Sequence, residues 1–298
     1  METIKSIFDK QKKILYLIII FIFSTSINQY YGNLGVCPID SFWFFNSGYD
    51  VLNGYYPFKD YWTIAGPFIS FTQAFFFKIL GVSWFSYVLH ASIFNFFISI
   101  CTFYTLYKLK LNIHYSFLYA LLVAVLAYPN AGTPYVDHHA SILSMMAVFC
   151  FILALNTNLK IYWFLLPIIL LLSFLTKQTP TGYIFLIIVF LSFVYFVFNF
   201  NINKIVCGLL GSIVIISIFL TILFIGKISL VSFFEQYILY PLTIGKIRYE
   251  YLLFPFEFSR VFLRFKLIHL SSIILIIISI ISIKNNFKYL KDNEFLIS

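Results

Sequence analysis

Long apolar runs broken by short polar stretches dominate this chain of 298 residues, and that pattern predicts helices of membrane-crossing kind. The first run, Ile14–Ile27, follows Lys5, Lys10, Lys12 and Lys13 and reads as a retained helix with a cytoplasmic N-terminus. Further spans are expected at Trp84–Tyr107, Asn112–Tyr128, Ala140–Leu155, Ile161–Leu175 with a bend at Pro167, Gly182–Phe200, Ile205–Ile225 and Leu267–Ile283. Phe68–Leu80 is too short to cross and reads as a helix in the interface. The expected fold is all-α: a polytopic integral membrane protein of about eight transmembrane helices, with residues 1–298 as one transmembrane domain. A first extracytoplasmic loop at 31–83 holds interfacial helices, and a second outer loop covers 129–139.

One stretch is ambiguous. Residues 228–242 (ISLVSFFEQYILYPL) either belong to an outer loop spanning 228–266 or form a ninth crossing. The crossing would move the basic residues of 246–266 inside, as the positive-inside rule asks. It would also set Glu235 in mid-span, at about the 2.5–3.5 kcal/mol that an Asp costs at a helix centre. The run is short for a crossing, so the outer-loop reading is preferred.

Composition agrees with the pattern. The chain is 61% hydrophobic and 10% charged, against roughly 25% charged in soluble domains, and it cannot cover itself with polar surface. The expected location is the cell (inner) membrane, multi-pass. The net charge of +9 then marks loops that meet lipid phosphates and implies no nucleic acid. Cys37, Cys101, Cys150 and Cys207 are scattered and fit neither a disulfide framework nor a zinc site.

Chemistry concentrates where the apolar pattern breaks. In Cys37–Pro67, Pro38 and Asp40-Ser41 read as a helix start, which makes Asp40 either a cap or an ionised base at a membrane surface. Asp60 follows Lys59 in a rigid Gly/Pro/Tyr turn, where it either staples the loop or meets substrate. Asp137 opens a helix as an N-cap or, with His138, supplies a single ligand to a divalent metal shared with Asp40. Lys177 lies on the outer side by this topology, against the charge rule, and either snorkels to lipid phosphates or has an anionic partner. These charges all fall on one side, which suits a substrate half in lipid and half in water.

The order of these features resembles the membrane-embedded GT-C glycosyltransferases, and most closely the protein O-mannosyltransferase and aminoarabinose-transferase type that takes sugar from a polyprenyl phosphate. The residues that carry the resemblance are Asp40, Gly54-Tyr55-Tyr56-Pro57-Phe58-Lys59-Asp60-Tyr61-Trp62, Gly66-Pro67, Asp137 and Phe174-Leu175-Thr176-Lys177-Gln178-Thr179. It covers about residues 1–200. The chain is shorter than most members and lacks their C-terminal helices and outer soluble domain, and the His pair after Asp137 has no counterpart in the pattern.

The resemblance implies sugar transfer from a polyprenyl-phosphate donor to an acceptor hydroxyl of a glycan, lipid or protein, with inversion. Asp40 would be the general base or orienting group, and Lys177 would face the phosphate, with Arg248 as a second cation in the outer-loop topology. Asp60 and Asp137 would contact substrate, or Asp137 a metal. The alternatives are a transporter or flippase of lipid-linked sugars, or a non-catalytic subunit of a glycan-assembly complex.

Overall fold

The computed structural model describes residues 2–36, 38–250, 259–263 and 265–285, and the regular elements among them are helices. In chain order these are α1 (Glu2–Gly32), α2 (Pro38–Leu52), α3 (Pro67–Leu80), α4 (Trp84–Lys108), α5 (Ile113–Leu126), α6 (Val136–Asn156), α7 (Ile161–Phe174), α8 (Gln178–Phe198), α9 (Ile202–Gly226), α10 (Leu230–Phe234), α11 (Tyr240–Glu250) and α12 (Lys266–Asn285). Short π-helical turns fill Glu235–Leu239 and Ser259–Leu263. Local sequence explains several starts. Ser83 accepts from the Ser86 N–H while the Ser86 hydroxyl takes the Ser83 N–H, a capping box that begins α4. Pro67 sits in the first turn of α3, where its missing N–H costs nothing.

Among the described residues, five helices are long and apolar enough to cross a membrane: Gln11–Gly32 of α1, and α4, α6, α8 and α9. This is a multi-pass membrane protein, and its helices associate with the lipid bilayer. The other runs read as spans form shorter helices. α5 and α7 have 14 residues each, about 21 Å at 1.5 Å per residue, below the ~30 Å of a hydrocarbon core.

The helices pack as two groups joined by α6. One group is α1, α4 and α5; α6 contacts α4 on one side and α7 and α8 on the other, and α9 packs on α7. Polar side chains tie helices together where lipid offers no hydrophobic drive. Asn95 of α4 donates to the Ser24 and Ala124 carbonyls, at 3.1 and 2.8 Å, and so joins three helices. Ser144, Ser173 and Thr181 join α6, α7 and α8. α7 runs on through Pro167, and α9 meets it closely because Gly211 has no side chain: a Cβ there would fall 2.0 Å from the Phe164 carbonyl oxygen.

Three boundaries differ from the sequence reading. α6 begins at Val136, so the polar stretch 129–139 is part loop, and Asp137, His138 and His139 stand on the first helical turns. The cap position is Tyr135 in extended backbone, so Asp137 does not cap the helix. It lies where the N-terminal dipole favours a carboxylate. α8 begins at Gln178, four residues before the Gly182 at which the sequence pattern starts this span. Residues 230–250 are helical rather than loop, and the segment 251–258 lies outside the described residues. The end of the bundle that carries α2, α3 and the 127–135 and 175–177 connections is called the loop end below.

Candidate active site at the loop end

Asp40 stands half-buried in the first turn of α2. Its neighbour Ser41 is buried and meets the Thr133 hydroxyl at 3.2 Å, while the Tyr87 hydroxyl of α4 donates to the Ser41 carbonyl at 2.7 Å. The Asp40 carboxylate lies within electrostatic reach of that Tyr87 hydroxyl. Ser41, and with it the first turn of α2, is therefore seated against the loop that leads into Asp137. α2 and α3 then pair through Ser47 and Ser70, whose hydroxyls are 3.0 Å apart.

The turn after α2 is self-contained. Asp60 accepts from the Tyr56 N–H at 2.8 Å and meets Lys59 at 3.6 Å. Of the two readings of Asp60, the loop staple is the one these contacts describe. An exposed pair of this kind contributes little stability. Nearby, burial pushes the Tyr61 phenol up, and the Asp50 and Asp60 charges add to the shift.

The Gly66-Pro67 corner sits directly on the segment that carries Lys177. The Gly66 N–H donates to the Thr176 carbonyl and the Phe68 N–H to the Leu175 carbonyl, each at 3.1 Å. A Cβ on Gly66 would fall 1.9 Å from the Leu175 carbonyl oxygen, so only glycine permits this approach. From that seat Lys177 reaches across to Asp137 and forms an ion pair and hydrogen bond with it. Their side chains are 33% and 44% exposed, so the pair faces outward rather than being sealed. The anionic partner expected for Lys177 is thus Asp137, forty residues earlier on α6.

The π-helical turn closes the assembly. Gln236 accepts from the Thr63 N–H at 3.1 Å and donates to the Phe58 carbonyl at 3.2 Å. Tyr237 donates to the Phe174 carbonyl, and Gln178 donates to the Tyr237 carbonyl. One short turn thereby grips the first loop, the end of α7 and the start of α8. A π turn is a common feature of functional sites, and the polar Gln236 in an apolar run was its one signal in the sequence. Arg248 falls in α11 by its backbone, and its side chain lies outside the described residues.

Directly beneath Asp137 is a sealed polar chain that the sequence reading missed. His139 and His90 are both 0% exposed, and their Nε2 atoms are 3.0 Å apart. His90 Nδ1 meets Gln73 Oε1 at 2.8 Å, and His139 Nδ1 meets the Tyr128 hydroxyl, which also accepts the Tyr135 N–H at 2.9 Å. With both imidazoles neutral, as a site without a counter-ion favours, one assignment fits these contacts, and it leaves the buried Gln73 Nε2 without a partner among the described residues. Tyr128 donates to His139, His139 to His90, and His90 to Gln73. Phe76 stacks on His90, and Phe94 packs on both rings.

Beside these groups, Asn130, Asp137, His138 and Ser141 head a cleft of about 400 Å³ whose inner wall is apolar, with Ile98 and Met145. As for the metal considered for Asp137 and His138, Asp137 is engaged by Lys177. Among the described residues no group of three or more His, Cys, Asp or Glu side chains is arranged to hold an ion.

No family model matches the chain, and no curated protein or solved structure matches it either.

Proposed function

We propose that this protein is a glycosyltransferase that moves a sugar from a polyprenyl-phosphate donor to an acceptor hydroxyl at the extracytoplasmic face. The observation that carries the reading is convergence. Segments far apart in sequence (the start of α2, the Gly66-Pro67 corner, Asp137 and the Thr176-Lys177-Gln178 segment) meet at one end of the bundle, with a carboxylate and a half-exposed cation among them. The basic N-terminal run orients that end outward by the positive-inside rule. Seating of 236–237 on the first loop favours the topology in which 228–266 stays on that side, with eight crossings and the shorter α5 and α7 counted among them.

In this reading Asp40 accepts the proton of the acceptor hydroxyl as its oxygen attacks the anomeric carbon from the side opposite the phosphate. The bond from that carbon to the phosphate oxygen breaks, and the phosphate leaves as an anion. Lys177 stabilises its charge, and Asp137 holds the ammonium in position until the phosphate competes for it. An apolar groove of about 430 Å³, formed by α7, α8 and α9 and reaching Thr181 and Gly182 near Lys177, suits an isoprenoid tail.

The test is the profile of lipid-linked and surface glycans in membranes of cells whose only copy is wild type or Asp40→Asn, blotted for equal abundance. The expected result is loss of one product at unchanged abundance. An unchanged product would reduce Asp40 to a helix-start residue and end this reading.

A further inference from the structure

The opposite end of the bundle carries a second arrangement that the reading above does not use. Lys13 of α1 and Lys108, the last residue of α4, flank a cleft of about 500 Å³ between α1, α4, α6 and α7. The Lys13 ammonium lies 4.3 Å from the Tyr107 ring centroid and that of Lys108 5.3 Å from the Tyr104 ring. No acidic residue is among the described residues that line the cleft. Among the described residues neither Lys13 nor Lys108 pairs with a carboxylate; the side chain of Asp9, one turn before Lys13 on α1, lies outside them. Tyr162 donates to the Tyr104 hydroxyl at 3.1 Å, which leaves Tyr104 its own proton to give. Farther in, the walls are Leu17, Met146, Phe149 and Ile169. α4 has 25 residues, about 37 Å at 1.5 Å per residue. Lys108 thus stands at headgroup depth when Trp84 is at the other interface of a ~40–45 Å bilayer.

Two ammonium groups and a phenol above an apolar slot are complementary to a phosphate with a hydrocarbon chain attached. A soluble anion would leave the slot unfilled. A zwitterionic lipid would bring a further cation to a site that already holds two ammonium groups. We propose that this cleft binds one anionic phospholipid of the surrounding bilayer, its phosphate between Lys13 and Lys108 and an acyl chain lying along the cleft. The site is at the end opposite Asp40 and Lys177, and it stands whether or not the chain transfers sugars.

The experiment is native mass spectrometry of the full chain in detergent, titrated with phosphatidylglycerol, phosphatidylcholine or inorganic phosphate. One phosphatidylglycerol is expected to bind in preference to phosphatidylcholine. Lys13→Ala and Lys108→Ala should each weaken it about fivefold, the ~1 kcal/mol of one basic side chain near an anionic headgroup. Lys→Arg at either position should retain it. Ile100→Trp, which fills the cleft and keeps both lysines, should abolish it; this arm also decides the matter if an alanine variant is unstable. Equal binding of the two lipids, or binding indifferent to all these variants, would overturn the proposal. So would phosphate binding alone with the same affinity, or polyprenyl phosphate displacing phosphatidylglycerol at equal concentration.

Discussion

Asp137 and His139 are two residues apart on one helix and live in opposite surroundings. Asp137 is 44% exposed and paired with Lys177, with charge balanced by charge at an open surface. His139 is 0% exposed and sits in a chain of directed hydrogen bonds from Tyr128 to Gln73. The difference follows from helix geometry: neighbours at this spacing point to different sides of α6. It also separates two uses of polarity. A half-exposed ion pair adds little to stability and can be exchanged for a ligand. A sealed chain cannot exchange partners, and each group left unpaired costs the full desolvation penalty. On this contrast the proposed function draws on the pair, and the chain belongs to the framework that holds the start of α6 in place.

The largest expected effect is on the open side. Under the proposed function, Lys177→Met should lower sugar transfer by about 100- to 1,000-fold, the loss typical when one preorganised group facing a developing anion is removed. Thermal stability in detergent should hardly move. A variant that loses stability and activity together would place Lys177 with the framework and dissolve the contrast.

The next test breaks the sealed side. His139→Leu keeps the bulk and removes both ring nitrogens, leaving the Tyr128 hydroxyl and His90 Nε2 without their partner. The expected cost is about 1–3 kcal/mol for each group stranded, read as a lowered unfolding midpoint. His90→Leu combined with His139→Leu should cost less than the sum of the single changes, because both act on one bond. Additive costs would show that the two histidines are not coupled.

Gly66→Ala tests the joint between the two segments. Its Cβ would meet the Leu175 carbonyl at 1.9 Å, and that backbone has no flexible end to give way. The expected cost is about 1–3 kcal/mol of overpacking, with activity reduced through displacement of Lys177 two residues after Leu175. An alanine variant with full activity would show that the corner does not position that lysine.

How far these regions could be read from sequence follows from what each is made of. Five of the expected spans, in α1, α4, α6, α8 and α9, were legible because their apolar runs are long and one-dimensional. Asp137 and Lys177 were legible singly, as charges in an apolar chain, but their pairing was not, since it depends on where α6 and α8 begin. The sealed chain was missed because Gln73 and His90 are single polar residues in helices read as apolar, and nothing periodic marks them. The clamp of Gln236 and Tyr237 was missed for a different reason. A π turn has no composition of its own, and Glu235 drew attention to membrane depth instead of to the packing of the next two residues.

Asp137→Asn should produce the smallest change in stability and the most informative one in kinetics. The substitution preserves shape and removes the charge opposing Lys177. Because both side chains are about a third or more exposed, the loss should stay below about 1 kcal/mol. Under the proposed mechanism Lys177 is then released from its internal competitor, so the donor phosphate should bind more tightly and KM should fall. The ammonium also loses the group that fixes its position, so kcat should fall with it. A purely structural pair would move stability and leave this split absent. If Asp137→Asn costs several kcal/mol, as breaking a buried pair would, then Asp137 and His139 belong to one framework after all, and the open end of α6 is not where the chemistry lies.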